Sequence, residues 1–176
     1  MAFAYRIMGA AMLDRSTFEE IEADKTATAQ AMGVVILASL AAGVGLGGLE
    51  TGHPVSFAFV SIVALLTWAV WALITFEVGV RLLPEPQTTV DVGELLRTLG
   101  FAAAPGLVQA FGIVPGLRNP LFVLTAAWML ASMVVAVRQA LHYTTTARAL
   151  AVCAVGWILA FTMAVILGLV FGPTLS

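Results

Sequence analysis

Hydrophobic and polar positions fall along this chain in long blocks. Five uncharged, mostly apolar runs cover residues 29–49, 55–76, 98–117, 120–137 and 149–172, and the charged residues gather between them. About 20 apolar residues make a helix of about 30 Å, the thickness of a bilayer's hydrocarbon core. The pattern therefore predicts an all-α membrane protein, a bundle of five transmembrane helices formed by residues 29–176. Residues 1–28 are broken by Arg6 and by a charged stretch from Asp14 to Lys25, and read as a separate cytoplasmic, interfacial helical segment.

The third run is the least regular. Between Arg97 and Arg118 it carries four glycines, two prolines and Gln109. Pro105 lacks an amide hydrogen and collides with the carbonyl of Phe101, so a kink near the middle of the bilayer is expected. Arginine and lysine positions decide whether this run crosses or dips back, because cytoplasmic flanks carry the positive excess. With five crossings and the N-terminus inside, Arg6, Arg15, Lys25, Arg81, Arg97, Arg138 and Arg148 all lie inside and only Arg118 lies outside. A re-entrant third run would move Arg138 and Arg148 out and bring only Arg118 in. The spanning arrangement fits better, which puts the C-terminus outside.

In the N-terminal segment Phe3, Ile7, Met8 and Ala11 share one side of a helix. Ser16, Thr17, Phe18 and Glu19 have the spacing of a capping box, in which Ser16 and Glu19 satisfy free amides at a helix start. Phe18 and Ile21 are expected to face the membrane surface, with Glu19, Glu20 and Glu22 in water. In the loop of residues 81–97, Asp91 or Thr89 caps a short helix leading to Leu95 and Leu96.

Composition narrows the class further. The chain is 61% hydrophobic and 10% charged, with a mean hydropathy of +1.02, against roughly half apolar and a quarter charged in soluble domains. A net charge of -2 leaves no basic face to neutralise phosphates, so nucleic acid is not a partner. The one cysteine, Cys153, lies in the last run and offers neither a disulfide nor a paired thiol. Charges at Arg6, Asp14, Arg15, Glu19, Glu20, Glu22, Asp24 and Lys25 break the apolar run that a cleavable signal peptide needs, so targeting is expected through the first span.

Gly43, Gly45 and Gly48 match G-x-G-x-x-G. The match closes an apolar helix and does not follow a strand, and no carboxylate stands some 20 residues on to hold a ribose. Helix packing explains these glycines better. Ser39, Gly43 and Gly47 recur every four residues, as do Gly156, Ala160, Ala164 and Gly168 in the last run and Ser132, Ala136 and Ala140 in the fourth. Small residues let helix backbones approach in lipid, where no hydrophobic drive brings helices together.

Candidate polar sites are few. Glu77 and Arg81 are one turn apart and read as a local ion pair, because a proton relay needs carboxylates near the midplane. Arg138 ends the fourth run, and Arg97 and Gln109 flank and line the third. Trp128, Ser132, Val135, Gln139 and His142 fall on one face of the fourth span, and Thr67, Trp68, Trp71 and Thr75 on the second. His142 and His53 lie at opposite ends, which argues against a metal site. H-E-x-x-H, G-x-S-x-G, P-loop and intramembrane aspartate pairs are all absent, so no enzyme activity, cofactor or metal is expected.

Two stretches carry a family likeness: LLRTLGFAAAPGL, residues 95–107, and AVRQALHYTTTARALAVCAVGW, residues 136–157. With TFEEIEADKTATAQA, residues 17–31, the chain resembles bacterial members of the Yip1-domain family. Gly100, Phe101 and Pro105 are similar to that family's G-Y-x-x-x-P motif, with phenylalanine for tyrosine. The D-L-Y-G-P motif and the long N-terminal arm of the eukaryotic branch are absent, so a Rab-linked trafficking role does not carry over. The resemblance implies a polytopic protein, here of the bacterial inner membrane. Its partners are the lipid bilayer and other membrane proteins or itself, and the expected role is a scaffold or accessory protein. The alternative is a small transporter or channel built on the kinked third span, with Gln109, Trp71 and Gln139 beside it.

Overall fold

The apolar runs fold as helices, and the short polar segments cap and join them. The computed structural model describes residues 2–46, 54–84 and 91–171, and no strand occurs among them. The order is α1 (Ala2–Ala11), α2 (Arg15–Ala23), α3 (Ala27–Gly45), α4 (Pro54–Glu77), α5 (Val92–Ala102), α6 (Arg118–Ala140) and α7 (Thr146–Phe171). A π-helical turn, Val78–Leu82, continues α4, and a 3-10 segment, Ala104–Ile113, follows α5. Gly47, His53, Thr89 and the side chains of Ala160, Ala164 and Gly168 lie outside the described residues.

Among the described residues three helices are long and apolar enough to cross a membrane, against the five expected: Ala27–Gly45, Phe57–Leu82 and Arg118–Ala140. α7 is 26 residues long, and its described apolar stretch is Thr146–Leu159. The remaining run, residues 98–117, is not one kinked α-helix. Its α-helical part ends at Ala102, and the chain then tightens through Ala103 into 3-10 geometry. Bonds from the Ala103 amide to the Gly100 carbonyl, 3.2 Å, and from the Gly106 amide to the Ala103 carbonyl, 2.9 Å, make the change of pitch. Pro105 is the cause: an α-helix would need its missing amide hydrogen and the space its ring takes from the Phe101 carbonyl.

This two-pitch element runs beside α3 in the same direction. A Cβ added to Gly100 would meet Ala31, one on Gly106 would meet Ala38, and one on Gly112 would meet Gly45. α6 runs back along the other side, where Gly106 faces Met129 and Gln109 donates to the Thr125 hydroxyl at 3.2 Å. The break itself is closed: Phe101 through Ala104 are between 0 and 3% exposed.

The N-terminal segment departs most from expectation. Phe18 and Ile21 do not face a membrane surface; both are 0% exposed and share a core with Leu95, Leu99, Phe101 and Val34. Phe3, Ile7 and Ala11 of α1 pack on that core too, while Met8 points away and is exposed. The α2 cap also moves. Asp14, not Ser16, is the N-cap, accepting from the Ser16 amide at 3.1 Å and from the Ser16 and Thr17 hydroxyls at 2.8 Å. A carboxylate is the stronger acceptor at a helix N-terminus, and Leu13, at φ 63°, turns the chain sharply enough to bring it there. Asp91 caps α5 by accepting from the Gly93 amide at 3.2 Å.

Candidate functional site

The polar face of α6 is where the N-terminal hairpin docks. The Trp128 indole donates to the Ala11 carbonyl at 2.7 Å, and the Ser132 hydroxyl to the Ala10 carbonyl at 3.2 Å. Trp128 thus supplies a donor to the Ala11 carbonyl at the end of α1, and Ser132 adds a second bond to the Ala10 carbonyl, which already accepts from the Leu13 amide at 3.1 Å. Two helical turns further down α6, Gln139 donates to the Glu22 carboxylate at 3.0 Å, and His142, in the turn just past the helix, lies 3.6 Å from its other oxygen. Spacing at three and four residues, read as a single face, thus becomes a row of contacts to α1 and α2.

Glu22 is the hub of this network. Its backbone carbonyl accepts from Arg97 of α5 at 2.6 Å, so one residue ties α2 to α5 and α6. Arg97 is 3% exposed, and its Nε has no hydrogen-bond partner among the described residues. A second cation anchors α1. Arg6, 6% exposed, donates to Glu20 at 2.9 Å, Asp24 at 2.7 Å and Gln30 at 3.0 Å. Burial pulls its guanidinium down, but the hydrogen bonds and charges of Asp24 and Glu20 outweigh this and hold it above its ordinary value.

The Thr26 hydroxyl and the Arg6 guanidinium hold the Asp24 carboxyl well below its ordinary 3.8, at about 2. The folded form therefore binds fewer protons than the unfolded one in that window. The Asp24 contribution is complete above about pH 4 and is lost as pH falls toward about 2. Limited proteolysis of residues 2–23 is accordingly expected to accelerate on acidification through this window. Asp24→Asn should cleave faster at neutral pH and show a flatter acid limb; an unchanged limb would remove Asp24 from the docking.

Other sequence candidates stand apart from this network. Glu77 and Arg81 form an i,i+4 pair at 3.0 Å, both half or more exposed. Such pairs contribute about 0–1 kcal/mol, so Glu77→Gln is expected to leave thermal stability in detergent unchanged within about 0.5 kcal/mol. Arg138 closes the end of α6, donating to the Tyr143 and Thr144 carbonyls and to the Thr146 hydroxyl at 2.9 Å. The Tyr143 hydroxyl lies 2.9 Å from both the Gly79 and Leu83 carbonyls, gripping the π-helical turn. Gly43 packs on Phe57 and Ser61 of α4, Ser39 bonds back to the Val35 carbonyl, and Gly156 lies against Trp71. Trp68 Nε1, Trp71 Nε1 and Thr75 Oγ1 are buried without a partner among the described residues. Cys153 is buried in α7.

Arg6, Glu20, Glu22 and Asp24 were not singled out from the sequence. A signal existed. Glu20 and Asp24 stand at i and i+4, where like charges repel, so a cation between them was implied. Its source, 14 and 18 residues away, was not.

An all-helical architecture with membrane-length apolar helices, clamped at one end by its own N-terminal hairpin, defines a membrane-protein class. The Yip1-domain family model matches residues 11–167, and the chain belongs to that family. Comparison with curated proteins and with solved structures gave no match.

Proposed function

We propose that the chain is a five-crossing membrane scaffold that works through contacts with lipid and other membrane proteins and carries out no chemistry of its own. The observation that carries this reading is the closed break after α5: Phe101 to Ala104 are packed by neighbours at 0–3% exposure, where a transporter would hold a cavity. Outward faces of the helices are apolar instead, with Ile36, Leu40, Leu66, Leu73, Val123 and Ile158 exposed. The crossing count is supported by length. Eleven α-helical residues and ten 3-10 residues reach about 16 Å and about 20 Å, enough together for about 30 Å of hydrocarbon.

Five crossings require the two termini to lie on opposite sides, and the arginine distribution favours an N-terminus in the cytoplasm. Side-specific labelling of terminal tags tests this; both tags on one side would sink it. For the scaffold role, detergent pull-down with mass spectrometry should recover defined membrane-protein partners. Recovery of this chain alone, under conditions that keep known complexes together, counts against it, and solute flux into liposomes carrying the purified protein would favour the transporter reading.

A further inference from the structure

α1 is anchored at a depth that its contacts allow to be measured. Ser132, which donates to the Ala10 carbonyl, has a short side chain and so places the end of α1 level with itself. Between Ser132 and Ala140, the inner end of α6, lie eight residues, about 12 Å of helix. If α1 lay wholly outside the hydrocarbon, only Arg118 to Ser132 would remain to cross it, about 15 residues and about 22 Å. That falls short of about 30 Å. α6 cannot both span the bilayer and leave the end of α1 in water.

The outward face of α1 matches such a place. Tyr5, Met8 and Met12 are 60, 61 and 75% exposed and fall at i, i+3 and i+7, one stripe that continues past Ala11 because the Met12 amide still bonds the Met8 carbonyl at 2.8 Å. No charge interrupts it, because Arg6 turns inward to Glu20 and Asp24. At the hairpin turn, the Asp14 carboxylate already holds the Ser16 and Thr17 hydroxyls. Glu19 and Glu20 of α2 are exposed and charged, and belong with headgroups and water.

We propose that α1 is seated within the leaflet on the N-terminal side and that Tyr5, Met8 and Met12 contact acyl chains there. This rests on reading α6 as a crossing helix. The hairpin then fills part of one leaflet while its acidic α2 draws the headgroup layer inward, thinning that leaflet beside α5 and α6. Tyrosine suits the boundary, since its ring is apolar and its hydroxyl is wet.

The test uses the full chain in phosphatidylcholine vesicles, with an environment-sensitive fluorophore on Tyr5→Cys, Met8→Cys, Met12→Cys or Glu19→Cys. Cys153 is fully buried, and mock-labelled wild type accounts for it. Brominated acyl chains should quench positions 8 and 12 about twofold more than position 19, and iodide should show the reverse order. Iodide reaching 8 and 12 as readily as 19 overturns the proposal. Protection of 8 and 12 from both quenchers also overturns it, since a protein surface would then cover the stripe. Labels at Leu66→Cys and Val123→Cys keep the two readings apart: if acyl quenching fails there too, the crossing reading has failed.

Discussion

Phe18→Ala is expected to destabilise the folded protein by about 3–5 kcal/mol, the range for removing a fully buried phenylalanine. Phe18 is 0% exposed and sits in the core with Ile21, Leu95, Leu99 and Phe101. Truncation leaves a cavity where α2 meets α5, and nothing nearby can collapse into it without moving a helix. The contrast with a membrane-facing phenylalanine is sharp. In that position lipid would flow into the vacated volume, and the cost would fall to a fraction of this. Equilibrium unfolding in mixed detergent micelles measures it, and a loss below about 1 kcal/mol would return Phe18 to the membrane surface. Proteolysis of residues 2–23 should rise in the same variant, because Glu22 and Arg6 depend on α2 being seated.

Gly100→Ala is expected to cost about 1–3 kcal/mol through overpacking. An added Cβ would stand 2.7 Å from the Ala31 Cβ and 3.0 Å from the Ala31 carbonyl oxygen. Neither is the end of a flexible side chain, so α3 and α5 must part. Gly33→Ala is the matching control: nothing lies within 4 Å of its added Cβ. In mid-helix that change should stabilise by about 0.5–1 kcal/mol. Equal effects at both positions would mean that the α3–α5 approach is looser than the structure has it. A larger residue at Gly100 should also disturb the 3-10 segment beyond it, which a loss of the Gln109 to Thr125 contact would report.

Much of the fold was legible in the sequence because its signals are local. Apolar blocks of helical length define α3, α4, α6 and α7, and Pro105 marks where α5 stops. The capping of α5 by Asp91 follows from a carboxylate two residues before a free amide. Counting charges favoured a crossing for residues 98–117 but could not show the change from α to 3-10 pitch. That change depends on Gly100, Gly106 and Gly112 meeting α3 and α6, which are contacts between distant parts of the chain.

The candidate site was only half legible. Arg97, Gln139 and the face of Trp128 and Ser132 stood out as polar groups in apolar surroundings. Their common partner did not. Glu22 lies 75 residues from Arg97 and 117 from Gln139 in the chain, and no periodicity links such positions. The capping box at Ser16 shows a related failure: the spacing was present, but Asp14 offered a charged acceptor and took the role.

By itself the sequence determined that this protein is helical and belongs in a membrane, since helix length and hydropathy are properties of contiguous residues. Only the tertiary structure decided which medium buries each apolar face. Phe18 and Ile21 looked like lipid contacts and are core, while Met8, grouped with Phe3, Ile7 and Ala11, points out. Protein interior and hydrocarbon are almost equally apolar, so hydrophobicity alone cannot distinguish them. The distinction came from polar atoms: the Ala11 carbonyl at the end of α1 required a donor, and Trp128 of α6 supplied it, with Ser132 adding a second bond to the Ala10 carbonyl.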